Sequence, residues 1–135
     1  MGNVTHSIGQ AAARSGLSVD TLRYYERIGL IDPPARSAAG RRSYSDEDLA
    51  WLHFLTRMRT TGMPLALLRE YTELRRGGPA TSGRRKRILV EHRTALLEHL
   101  AELRSCLDVI NYKIDNYARI ERESHGPAPD MEASA

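Results

Sequence analysis

Hydrophobic residues recur at helical spacing in two short segments near the start of the chain. Residues 8–14 and 19–26 each follow a serine and are separated by Gly16. Serine is a good N-cap and glycine a good helix end, so the pattern predicts two helices joined by a tight turn, the order of a helix-turn-helix. Many helical hairpins share this pattern, and by itself it is weak evidence for function.

A hairpin and two further helices are predicted next. Two adjacent prolines at 33–34 stop the second helix, and residues 35–44, with Gly40 at their middle, predict a small β-hairpin, or wing. Ser45 begins a capping box that opens a third amphipathic helix. A fourth helix is predicted over 64–77, because proline suits a first helical turn and two glycines follow the last apolar residue.

From about residue 82 the apolar positions form one seam with alternating spacings of four and three. Such a seam needs a partner helix, and a helix over 82–121 would extend roughly 60 Å at about 1.5 Å per residue, more than a small domain covers. The sequence therefore predicts a homodimer. The seam residues are Leu89, Leu96, Leu100, Leu103, Leu107, Ile110, Ile114 and Tyr117. Residues 122–135 lack apolar periodicity and are predicted to be a disordered tail.

Composition narrows the class of protein. The chain of 135 residues is 41% hydrophobic and 27% charged, as in folded domains. Without an apolar run long enough to cross a bilayer or an export signal, we expect a cytoplasmic location and no membrane partner. No phosphate loop, nucleophile elbow or metal-ligand spacing is present, so we expect neither an enzyme nor a cofactor. The single Cys106 is interpreted as buried and inert.

The charged residues are unevenly placed. The net charge is +3, with the excess in the first third of the chain, and most basic residues are arginines, whose guanidinium matches phosphate oxygens and guanine edges. The basic cluster 84–87 is interpreted as pairing with Glu121 and Glu123 of a partner helix. His92 and His99 are too far apart to chelate one ion and are expected to be exposed.

A longer motif identifies a family. The run LRYYERIGLIDPP at 22–34, followed by Arg36, GRRSY at 40–44 and Asp48, closely resembles the signature of the MerR family of transcription regulators. The order of elements is similar from residue 6 to about residue 120. The small thiol- or aldehyde-responsive subgroup is closest in length and layout, but its reactive cysteine aligns with Arg57 here.

The resemblance implies a fold and an assembly. The fold is mainly α: a winged helix-turn-helix DNA-binding domain with a small β-hairpin wing over 6–77, followed by a long antiparallel coiled-coil dimerisation helix over 82–121. Two copies would bind a palindromic operator in double-stranded promoter DNA. Because promoters of this family have an overlong spacer, the dimer is expected to activate by distorting that DNA, with bacterial RNA polymerase as a further partner.

The resemblance also assigns DNA contacts. The second helix and its exit would touch base edges and phosphates, the wing would grip the backbone, and Arg59 would lie near the operator centre. The predicted set is Ser18, Asp20, Thr21, Arg23, Tyr24, Tyr25, Arg36, Arg41, Arg42, Tyr44 and Arg59. Three alternatives stay open: Asp20 interacts only with its helix N-terminus, Tyr25 packs in the core, and Tyr44 closes the hairpin.

The sequence leaves the effector open. The cysteines of metal-sensing members are missing, so no metal site is predicted. A small-molecule pocket is placed between the third and fourth helices and the partner's long helix, lined by Trp51, Leu55, Tyr71, Tyr112 and Tyr117. Two rival functions remain: an excisionase-like architectural protein that bends DNA without an effector, and a coiled-coil adaptor that binds no DNA.

Overall fold

The computed structural model describes residues 4–125, and within them the chain is mainly helical with a small sheet. This confirms the predicted fold class. The elements in chain order are β1 (Thr5–His6), α1 (Ile8–Ser15), α2 (Val19–Arg27), β2 (Ala35–Arg36), β3 (Arg42–Ser45), α3 (Asp46–Thr60), α4 (Leu65–Arg76), a 3-10 turn (Gly78–Thr81) and α5 (Ser82–Ser124).

Local capping explains where the short helices begin and end. The Ser7 side chain accepts from the Gln10 amide, and the Gln10 side chain accepts from the Ser7 amide, so both groups of the capping box are made. The same reciprocal pair joins Ser45 and Asp48 at the start of α3. Gly16 ends α1 at a φ of 76°, a conformation that favours glycine.

The wing is a three-stranded antiparallel sheet in the order β1-β3-β2. The predicted hairpin of β2 and β3 is confirmed, with Arg36 opposite Arg42 and a turn in which Gly40 has a φ of 78°. On the other side of β3, His6 pairs with Tyr44. The sequence did not reveal β1, because two residues carry no alternating pattern.

The chain divides into two compact units, residues 1–93 and 94–135. The core of the first unit consists of Ala11, Leu22, Tyr25, Leu30, Ile31, Tyr44, Leu52, Leu55, Met63, Leu68 and Ile88. Ile88 lies near the start of α5 and is fully buried, and Leu89 packs half-buried against the same core. The first unit therefore extends beyond residue 77, since the beginning of α5 covers its core.

In the second unit, α5 continues as a helix to Ser124 and exposes a series of large apolar side chains. The helix thus ends three residues later than predicted. Most of the predicted tail, residues 126–135, lies outside the described residues. Within the described part of the chain, no helix is long and apolar enough to cross a membrane.

Candidate DNA-binding surface

Four predicted arginines meet in one open groove. Arg23 comes from α2, and Arg36, Arg41 and Arg42 come from the wing. The groove has a volume of about 440 Å³, and its remaining lining residues are Ser7, Ile8, Gly9 and Gly40. The first turn of α1 thus faces the same space, and the unpaired amides of a helix N-terminus favour anions. The groove has the charge and donor groups to hold a DNA phosphate.

Sequence reasoning missed the contribution of α1 to this groove. Ser7 and Gly9 carry no charge, and their only visible signal was the N-cap that Ser7 supplies. They reach the groove because α1 packs against both α2 and β3.

The exposed side of α2 carries the groups expected of a recognition helix. Asp20 is almost fully exposed, and its Oδ1 lies 4.0 Å from Nη1 of Arg23. Tyr24 is exposed, and the guanidinium of Arg27 lies 5.8 Å from the centre of its ring. These side chains are free to meet base edges in a major groove.

Ser18 and Thr21 begin the same helix. The Ser18 hydroxyl accepts from the Thr21 amide at 3.0 Å and lies 2.8 Å from the Thr21 hydroxyl. The Ser18 side chain therefore caps α2, the helix that carries Asp20 and Arg23, and the Thr21 hydroxyl is hydrogen-bonded to this cap.

Two arginines of the wing are held by hydrogen bonds. Nη1 of Arg36 donates to the carbonyl of Gly40 at 3.0 Å, which stabilises the turn. Nε of Arg42 donates to Oε2 of Glu26 at 2.8 Å and so joins the wing to α2. Arg41 is exposed. The wing thus carries three arginines, and hydrogen bonds of two of them hold its turn and join it to α2.

Two predicted DNA contacts lie in the core. Tyr25 is buried, and Tyr44 is only 1% exposed. Burial first, and then the negative charge of Glu26, raises the pKa of Tyr44, so its hydroxyl is protonated at neutral pH. Its oxygen is buried without a hydrogen-bond partner among the described residues. The assignment of these two side chains to the DNA-contacting set is therefore corrected: Tyr25 takes the packing alternative, and Tyr44 on β3 also lies in the core.

We expect Tyr44→Phe to keep the affinity for DNA within about twofold and not to lower the free energy of unfolding, because a buried hydroxyl without a partner contributes no net stability. Titration of labelled DNA and thermal unfolding would measure both. A large loss of affinity in a variant that unfolds normally would return Tyr44 to the DNA-contacting set.

Arg59 lies at the end of α3, where its Nη1 donates to the carbonyl of Met63 at 3.0 Å. It is exposed and outside the groove of the four arginines. Close to it, the Thr61 hydroxyl lies 2.8 Å from Nε2 of His92, which is half-buried on α5. The expectation that His92 is simply exposed is wrong, since it links α5 to the end of α3.

Two residues of the predicted effector pocket, Trp51 and Tyr71, lie together in an aromatic cluster. Trp51 and Tyr71 stack with ring centres 6.2 Å apart, and Phe54, which the sequence did not single out, lies 5.3 Å from each. The guanidinium of Arg75 lies 4.1 Å from the centre of the Trp51 ring. Leu55 is fully buried in the core, so its place in a pocket lining is corrected. The aromatic cluster of Trp51, Phe54 and Tyr71 is the part that remains.

In the second unit, Tyr112 and Tyr117 are exposed on α5. Cys106 is also exposed, so the interpretation that it is buried is wrong for the single chain. Six seam residues from Leu100 to Tyr117 expose 42% to 62% of their surface. Leu96, at the start of this unit, is half-buried.

Two arginines of the basic cluster at the start of α5 have partners within the chain. Nη2 of Arg84 contacts Oε1 of Glu70 at 2.8 Å, and Nη2 of Arg85 donates to the carbonyl of Gly78 at 3.0 Å. Glu123 pairs with Arg119 on α5 itself. For Arg84 and Glu123, these contacts within the chain correct the expected pairing between this cluster and a partner's helix end. Within residues 4–125, no three His, Cys, Asp or Glu side chains gather to hold a metal ion.

Helix-turn-helix, wing and arginine-lined groove together define a winged helix-turn-helix DNA-binding protein. Comparison with known proteins gives the family. The family sequence model described as MerR HTH family regulatory protein matches residues 6–74. A second family sequence model, described as MerR, DNA binding, matches residues 49–111. The chain belongs to the MerR family of DNA-binding transcription regulators.

Individual relatives agree with this assignment. The HTH-type transcriptional regulator AdhR of Bacillus subtilis is 45% identical over 92 residues, which cover 68% of this chain and 66% of AdhR. A putative MerR family regulator from Listeria monocytogenes is 36% identical, with a TM-score of 0.81 over 96% of this chain and 98% of that one.

A second solved structure has DNA bound. It is HiNmlR, described as a MerR family regulator lacking the sensor domain, bound to promoter DNA. It is 30% identical to this chain, with a TM-score of 0.81 over 91% of this chain and 92% of that one. These relatives are transcription regulators, and none of them supports the excisionase or adaptor alternative.

Proposed function

We propose that this MerR family regulator acts as a homodimer on a palindromic operator and activates transcription by distorting promoter DNA. The observation that supports DNA binding is one groove. It is lined by the first turn of α1 and by Arg23, Arg36, Arg41 and Arg42. Arg59, outside that groove, would contact the backbone near the operator centre. Bacterial RNA polymerase at the promoter is the further partner, and the cytoplasm is therefore the expected location.

The dimer is supported by the apolar series on α5. An exposed apolar stripe of this length is unusual on a monomer, and the spacing of four and three suits a coiled coil. We place the antiparallel twofold axis near Leu100 to Leu103. The half-buried Leu89 packs on the core of its own unit, so the seam proper begins after it.

An effector of small-molecule size would bind at the aromatic cluster of Trp51, Phe54 and Tyr71. Stacked aromatic faces suit a planar or apolar ligand, and the partner's long helix, with Tyr112 or Tyr117, would supply the remaining wall. Such a ligand would act by favouring one of two dimer conformations.

The direct test of the function is to select and sequence DNA fragments that the purified protein retains. A regulator of the proposed kind recovers one palindromic sequence that lies between the two polymerase elements of a promoter. Recovery of bent or random DNA without a shared sequence would instead favour an architectural protein, and recovery of no DNA an adaptor.

We expect Arg23→Ala and Arg42→Ala to differ in kind. Loss of Arg23 should cost about 1 to 3 kcal/mol on the selected operator and relax the preference at one base position, because Arg23 reads a base edge. Loss of Arg42 should weaken binding to operator and random DNA alike and lower the salt slope by about one unit, as for one phosphate contact. Equal losses for Arg23→Ala on both DNAs would make Arg23 a phosphate contact as well.

A further inference from the structure

One ion pair joins the recognition helix to the wing. Nε of Arg42 on β3 donates to Oε2 of Glu26 on α2 at 2.8 Å. The Arg42 side chain is 27% exposed and that of Glu26 only 16%. Because water is largely excluded from this contact, the pair holds its geometry more firmly than an exposed surface pair would.

The geometry leaves Arg42 free to bind a second anion. A guanidinium has five N–H donors, and only the one on Nε is used by Glu26. Within residues 4–125 the Arg42 side chain makes no other hydrogen bond. Its two terminal nitrogens therefore remain available, and Arg42 lines the groove of the four arginines.

Glu26 itself does not line that groove. A carboxylate close to a phosphate-binding surface would repel DNA if it were unpaired. Here the ion pair with Arg42 compensates the negative charge of Glu26. With Arg42 in place, the contact through which Glu26 meets the groove is therefore its ion pair with Arg42.

We propose that Glu26 is a positioning residue that holds the guanidinium of Arg42 in the orientation needed to bind a DNA phosphate. By fixing this side chain before binding, Glu26 lowers the entropy that the contact costs. The proposal rests on the proposed DNA contact of Arg42. It gives an acidic residue on a helix that faces DNA a role in binding.

Glu26→Asp tests the proposal because it keeps the charge but withdraws the carboxylate by one methylene. We expect binding to weaken about threefold to tenfold, by the same factor on the selected operator and on random DNA, since a phosphate contact is lost. The salt slope should fall towards that of Arg42→Ala, which a purely structural role would not cause. In the Arg42→Ala background, Glu26→Asp should change the affinity by less than about twofold.

Three further variants sharpen this test. Glu47→Asp makes the same substitution at an exposed carboxylate without an ion-pair partner among the described residues, and it should leave the affinity unchanged. Arg42→Ala should lose more affinity than Arg41→Ala, because it also uncovers Glu26. Adding Glu26→Gln to Arg42→Ala should recover that excess.

If Glu26→Asp does not fold, Arg42→Lys takes its place. An ammonium keeps the charge but cannot pair with Glu26 and also offer the planar fork to a phosphate, so the same loss is expected. Wild-type affinity and salt slope for whichever of Glu26→Asp and Arg42→Lys folds would overturn the positioning role. So would a loss of affinity from Glu26→Asp that is as large in the Arg42→Ala background as in the wild-type protein. Wild-type binding by Arg42→Ala would instead show that Arg42 is not a DNA contact.

Discussion

Leu103→Glu is expected to convert the proposed dimer into a monomer at micromolar concentrations. Leu103 is about half exposed in the single chain and lies near the proposed twofold axis, where each copy would bury it against the other. The substitution removes two buried leucines, each contributing about 1.5 to 3 kcal/mol, and adds two carboxylates to an apolar seam. The dimer dissociation constant should rise by at least about a thousandfold. Sedimentation equilibrium measures it.

Ser105→Glu is the matched control, because it adds the same charge two residues away on a different face of α5. It should remain dimeric. Operator binding by Leu103→Glu should also fall, because a monomer contacts one half-site only. A wild-type chain that sediments as a monomer, or a dimer that Leu103→Glu leaves intact, would show that the seam does not form the interface.

Shortening the promoter spacer is expected to abolish activation. Each base pair rotates the two polymerase elements by about 35° relative to one another, since B-DNA has roughly 10 to 10.5 base pairs per turn. With a spacer that is two base pairs shorter, the two polymerase elements would be aligned with each other in undistorted DNA. Distortion of that DNA by the bound dimer would then move them out of alignment. Bending the DNA costs of order 1 to 6 kcal/mol, enough to change promoter activity about fivefold or more.

In vitro transcription on the natural and shortened promoters, with the DNA bend angle measured on each, checks this expectation. A third promoter that carries a scrambled operator serves as the control for direct effects of spacer length on the polymerase. If the protein still activates the shortened promoter, or if the bound operator is straight in every ligand state, repression by occlusion replaces the distortion mechanism.

The sequence by itself determined the helices, the hairpin of the wing and the family. Ser7, Gly16, Ser45 and Gly40 act on neighbours within four residues, so their capping and turn roles are local. The Arg-Tyr-Tyr motif and the wing pattern likewise lie in contiguous stretches. For the same reason, the four arginines of the groove could be picked out before their positions in space were known.

Only the tertiary structure decided which side of each element is covered. Tyr25 and Tyr44 have the same polar tip as the exposed Tyr24, and packing against the core alone separates them. In the same way, packing alone separates a leucine that is buried in the core, such as Leu55, from a leucine that lines a pocket. Amphipathic tyrosine is found both in cores and on binding surfaces, so its sequence position cannot choose between them.

Tertiary structure also chose the charge partners. Glu26 and Arg42 are 16 residues apart and Glu70 and Arg84 are 14 apart, separations that no helical periodicity relates. The sequence assigned Arg84 to a partner chain because the helix dipole disfavours a cation there, yet α4 supplies the carboxylate. Ion pairs between elements follow from how helices and strands pack together, and that packing arises from the whole core.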